Sequence, residues 1–239
     1  MGKLQTASAL QAVSTASHLP PLEAGDHLDQ ATFHTRYAAM PKNFRAELIG
    51  GIVFVPSPLR KDHGKHHALV MGWLTTYWIA TPGTEPLDNA TAILSDVSEP
   101  QPDAALVIDP ACGGQTGLSV DGYVTGPPEL IVEVASSSAS IDLHAKRRDY
   151  EQAGVQEYVV ILLRQHAVRW FVLRGGGYQE LNAGESGIFM STVFPGLWLH
   201  ASALLRLTGQ EVMDTLRQGL ETPAHATFVR QLQERRSTT

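Results

Sequence analysis

The segment Leu130-Ile131-Val132-Glu133-Val134 is an apolar run with one carboxylate inside it. Runs of this composition form strands covered on both faces, as in parallel sheets. Neighbouring parallel strands need a crossover, and the next residues supply one. Ile141 to Ala153 reads as a helix closed by Gly154, and Glu157 to Leu163 as the returning strand. The chain is thereby held to an α/β class with a strand–helix–strand unit at the centre of its sheet. Alternation puts Glu133 on the face of Ile131 and Ala135. A lone carboxylate buried there costs several kcal/mol unless it is paired, protonated or bound to a metal. The other reading is an edge strand with a solvated Glu.

Around this unit the pattern is mixed. Asp29 caps a short helix carrying Phe33, Tyr37 and Met40, stopped by Pro41. Ala46 to Val55 reads as two strands turning at Gly50-Gly51, and Lys61 to Ala80 as a helix ended by Pro82-Gly83. Ala90 to Leu94 and Asp103 to Ile108 are further strands, followed by a Gly-rich loop from Pro110 to Gly126. Ala167 to Leu173 and Tyr178 to Leu181 complete an antiparallel set turned by Gly175-Gly176-Gly177. The expected organisation is a flexible arm over 1–28, a domain over 29–207, and a polar, fraying helix or tail over 208–239.

Two more charges stand out. Asp103 opens the run Ala104 to Ile108 directly after Pro102, at the end of a strand expected beside that of Glu133. Lys146 falls between Leu143 and Tyr150 on the inward stripe of its helix. It needs an anionic partner there, with Asp142 one turn earlier or a snorkelling route to solvent as the simpler alternatives. Two carboxylates at adjacent strand ends can hold Mg²⁺, which accepts phosphate oxygens. The cation acidifies a bound water, and a nearby ammonium orients it or stabilises the developing anion. This is the chemistry of phosphodiester hydrolysis.

The surrounding residues carry a resemblance. The stretch Gly126-Pro-Pro-Glu-Leu-Ile-Val-Glu-Val-Ala-Ser-Ser-Ser is followed by Asp142, Lys146, Tyr150 and Ala-Gly-Val-Gln-Glu-Tyr at 153–158. Upstream stand Glu47-Leu-Ile-Gly-Gly, Pro56-Ser-Pro with His63, and Gln101-Pro-Asp; downstream stands Phe194-Pro-Gly-Leu. Together they resemble the Uma-type restriction endonuclease family of the PD-(D/E)XK nuclease superfamily, over about residues 29–207. The resemblance implies a restriction-endonuclease-like mixed β-sheet core flanked by helices. It implies Mg²⁺- or Mn²⁺-dependent cleavage of nucleic acid, DNA foremost. Asp103 and Glu133 are then the two acids, and Glu47 resembles the N-terminal acid that joins the metal site. The superfamily's lysine two residues after the second acid is absent, since position 135 is Ala. The family pattern places it on the next helix, here Lys146.

Lys61, His63 and Lys65 at the start of the second helix, and Arg147 beside Lys146, are candidate nucleic-acid contacts. His63 and His67 have the helical spacing of metal ligands but lack a third ligand, so zinc is not expected. The net charge of -6 excludes a uniformly basic coat protein, and a single cysteine excludes an internal disulfide framework. Without an apolar run long enough to span a bilayer, a cytoplasmic protein is expected. Homodimerisation is expected too, because one cleft cuts one strand of a duplex. The alternative of another class is an inert nuclease-like fold that binds nucleic acid or protein.

Overall fold

Asp29 caps the first helix, α1 (Gln30–Ala38), its Oδ1 accepting from the Thr32 amide at 2.7 Å. The computed structural model describes residues 19–58 and 60–238. Strands β1 (Glu47–Ile49) and β2 (Ile52–Phe54) follow, joined by Gly50 and Gly51 at φ +57° and +77°. Both φ values lie where a side chain would be strained, which is why the turn is Gly-Gly. Helix α2 (Lys61–Ala80) leads to β3 (Thr84–Asp88), β4 (Ala92–Ile93), β5 (Ala104–Ile108), β6 (Gly117–Leu118), β7 (Val124–Thr125) and β8 (Leu130–Ala135). A π-helical segment, Ile141–Lys146, runs into α3 (Arg147–Ala153). Then come β9 (Glu157–Leu162), β10 (Ala167–Arg174), β11 (Gly177–Leu181), β12 (Ile188–Met190) and β13 (Trp198–His200). Helices α4 (Ala201–Leu205), α5 (Gly209–Leu220) and α6 (Pro223–Thr238) close the described chain.

The main sheet has the order β11-β10-β9-β8-β5-β3. Its centre is the parallel pair β8–β9, joined through α3; every other pairing in it is antiparallel. Central placement covers β8 on both faces, which explains its apolar run. One face carries Val132, Val134, Val159, Ile161 and Trp170 against Trp73, Leu74 and Tyr77 of α2 and Leu216 and Leu232 of the last helices. The other carries Ile131, Ala135, Tyr158, Val160 and Phe171 beneath Tyr150 of α3. Burying each such side chain contributes about 1.5–3 kcal/mol. A smaller core of Phe33, Leu48 and Val53 ties α1 to the β1–β2 hairpin.

Three expectations change. The arm expected over 1–28 lies outside the described residues as far as residue 18. Beyond that, Leu22 is buried, and Gly25 and Leu28 donate to the Val53 and Gly51 carbonyls at 2.8 and 2.9 Å. The polar helix expected to fray instead packs: Phe228 and Leu232 enter the main core, and α5 presents Val212 and Leu216 to it. Strand β3 is absent from the sequence reading because Pro86 argues against a strand; it forms at the sheet's edge, where a missing donor is tolerated. No helix among the described residues is long and apolar enough to cross a membrane.

Candidate active site

The register of β5 on β8 pairs Ala104 with Val132. Continued one residue past the end of β5, it sets Asp103 opposite Glu133, on the same face of the sheet. The contacts agree, because Asp103 Oδ2 accepts from the Val134 amide at 2.7 Å. The same oxygen lies 3.1 Å from His63 Nε2, and His67 Nε2 lies 2.8 Å from the Asp103 carbonyl. The first turns of α2 thus clamp the strand end that carries Asp103.

Glu133 is buried and its Oε1 is shared by two donors. Lys146 Nζ and the Tyr150 hydroxyl each lie 2.9 Å away. The same ammonium donates to Glu47 Oε1 at 2.9 Å and lies 4.0 Å from Asp142 Oδ1. Glu47 Oε1 also accepts from the Gln101 amide at 2.8 Å. The segment before α3 is π-helical, and both Asp142 and Lys146 are buried in it. The structure therefore brings together Asp103, Glu133, Lys146 and Glu47. Asp142, the simpler partner considered for Lys146, is the most distant of its three carboxylates.

The electrostatics follow from burial and this imbalance of acids over bases. Burial raises the Glu133 carboxyl well above its ordinary value, and the neighbouring Asp103, Asp142 and Glu47 charges add to that while Lys146 opposes it. Burial also raises Asp142. It works against the charge on Lys146, but Glu133, Glu47 and Asp142 outweigh it and hold the amine above its usual range. Asp103 goes the other way. Burial would raise it, yet His63, the Val134 amide and Lys146 together keep it below the ordinary value.

These hydrogen bonds engage Oδ2 of Asp103 and Oε1 of Glu133 and Glu47, leaving one oxygen of each carboxylate outside them. Among the described residues no three His, Cys, Asp or Glu side chains form a metal cage. Mg²⁺ asks less of a protein: one or two carboxylates, completed by waters and phosphate oxygens. The hard oxygens of Asp103 and Glu133 fit that requirement.

The candidate nucleic-acid contacts divide. Lys61 and Lys65 are exposed on α2. Arg147 is half-buried with its guanidinium 4.7 Å from the Phe171 ring centre. His63 is only 5% exposed and faces Asp103, so its contact is with the acid and not with the surface phosphate expected of it. Asp142 and Tyr150 carry part of the family resemblance but are not among the expected site residues, and the structure adds both to the cluster. The available signal was that Tyr150 shares the stripe of Lys146.

The family model Uma2, described as "Putative restriction endonuclease", matches residues 31–202. The chain belongs to the Uma2 family. Among solved structures, this Uma2 chain is similar to "a putative nuclease belonging to DUF820 from Anabaena variabilis ATCC 29413". The TM-score is 0.57 at 12% identity, over 72% of this chain and 97% of that one. At that identity the likeness bears on the fold, a mixed sheet flanked by helices. No curated protein matches. The Uma2 match encloses Glu47, Asp103, Glu133 and Lys146.

Proposed function

We propose that this protein is a Mg²⁺- or Mn²⁺-dependent endonuclease of PD-(D/E)XK type that hydrolyses phosphodiester bonds of DNA. The observation that carries the reading is the cross-strand placement of Asp103 and Glu133 with Lys146 hydrogen-bonded to Glu133. Three carboxylates lie within 4.0 Å of one ammonium with Asp103 nearby, an imbalance of acids over bases that a divalent cation would relieve.

Asp103 and Glu133 would hold the cation through their outer oxygens, with Glu47 beside them. When bound it supplies charge neutralisation at the phosphate and a water of lowered pKa. Asp103, kept ionised by His63 and the Val134 amide, is the committed anion of the pair. Lys146, kept protonated by its carboxylates, presents donors that orient the attacking water or stabilise the pentacovalent phosphate. Tyr150 donates to the same Glu133 oxygen and helps hold its rotamer. In this reading residues 29–207 are the catalytic unit, Lys61, Lys65 and Arg147 bear on the nucleic acid, the protein is cytoplasmic, and a homodimer offers one cleft to each strand of a duplex.

The reading is tested by thermal unfolding of the wild type and Glu133→Gln with and without millimolar Mg²⁺ or Mn²⁺. A site filled at a hundredfold excess over its dissociation constant stabilises by about 2.7 kcal/mol. The wild type should gain such a shift and the variant should lose it. Metal-independent curves for both would support an inert binding module instead.

A further inference from the structure

Strands β8 and β9 end side by side, with Ala135 paired to Leu162. Past these ends lies a cavity of about 150 Å³ whose walls include Ala135, Ser136, Ser137, Leu162, Arg164 and Gln165. The polar members have no hydrogen bond or ion pair among the described residues: the two hydroxyls, the amide and the guanidinium of exposed Arg164 are uncommitted. No carboxylate lines the space. Hydrogen-bond donors with one fixed positive charge, facing an opening without an anion, suit a phosphate oxygen, and a guanidinium fork matches it best.

The position matters as much as the chemistry. Ala135 is two residues beyond Glu133 on the same face of β8, a rise of about 6.7 Å. The Ala135 wall of the cavity thus stands about 6.7 Å along the strand from Glu133, near enough for one substrate strand to reach both. Crevices beyond the carboxyl ends of parallel strands are where α/β sheets bind ligands. Ala135 itself leaves room, since a long side chain at that position would extend towards the space.

We propose that this cavity is a phosphate subsite that holds a backbone phosphodiester of the substrate strand beside the one cleaved, with Arg164 as its charged contact. The inference rests on the nuclease reading and adds a specific anchor to it.

The test is fluorescence anisotropy of a labelled DNA duplex and a labelled single strand against the full-length protein over a range of salt, with Ca²⁺ in place of Mg²⁺ so that strands stay whole. Arg164→Gln should weaken binding about tenfold at low salt and flatten the salt slope by about one. Arg164→Lys, which keeps the charge, should recover the slope. Arg174→Gln removes an exposed arginine at the other end of the sheet and should leave both quantities at wild-type values. Wild-type affinity and slope in Arg164→Gln, with the wild type binding normally, would overturn the subsite alone. A wild type that binds neither probe would overturn the subsite together with the nuclease reading.

Discussion

Lys146 Nζ lies 2.9 Å from Glu133 Oε1, a helix lysine hydrogen-bonded to the carboxylate of the strand that precedes its helix. The contact is made inside the parallel crossover β8–α3–β9, between two buried side chains. The amine arrives from the segment leading into α3, and it is shared with Glu47 of the β1–β2 hairpin. The geometry is over-determined, with three elements meeting at one ammonium.

Replacing that ammonium should be costly. Lys146→Met leaves Glu133, Glu47 and Asp142 without their cation, and breaking a buried pair from one side costs roughly 3–5 kcal/mol. Thermal unfolding should show a lowered midpoint without metal, with partial recovery in Mg²⁺. A midpoint at the wild-type value would mean that Lys146 is not the counter-charge of the cluster.

His63 should act through Asp103. With Nε2 at 3.1 Å from Asp103 and Nδ1 buried without a partner among the described residues, its contribution is one hydrogen bond. His63→Gln, which keeps a donor, should retain metal binding; His63→Leu should weaken it about tenfold or more, the scale of losing the group that orients a ligand. Mn²⁺ titration separates these from a fold defect, because a merely structural role predicts equal losses in both variants.

The raised Glu133 carboxyl has a consequence for pH. The ordinary value is 4.5, and burial raises it in the fold. Stability linked to its proton is therefore fully present below 4.5 and lost as pH rises through the folded value. Glutamine imitates the neutral carboxyl at every pH, and Lys146 keeps Glu47 as its partner. Without metal, Glu133→Gln should melt above the wild type at about pH 8, and the gap should close by about pH 4. Calorimetric scans at the two pH values check the sign.

The central strands and the crossover were legible because buried parallel strands leave continuous apolar runs and helices a three-to-four-residue stripe. Glu133 and Lys146 were legible as violations of those patterns. Asp103 was not informative alone; its meaning comes from a register that only the folded sheet supplies, Ala104 against Val132. His63 was legible as a polar residue on a basic helix start, but not as an inward one, because the helix periodicity there is blurred by three histidines of which His63 and His66 are buried. Strand β3 was hidden by Pro86, and the packing of α6 by a surface rich in charge around Phe228 and Leu232. The Ser136–Arg164 cavity joins two loops that only the parallel pairing of β8 and β9 brings together.

The central claim is that Asp103, Glu133 and Lys146 form a metal-dependent phosphodiesterase centre. Its most direct test is incubation of supercoiled plasmid and single-stranded DNA with the purified wild type, Asp103→Asn and Glu133→Gln, in Mg²⁺, Mn²⁺ or chelator. The account predicts nicked or linear product from the wild type with metal only, and none from either variant, although both stay folded. Cleavage that persists in chelator, or that survives Glu133→Gln at the wild-type rate, would contradict it.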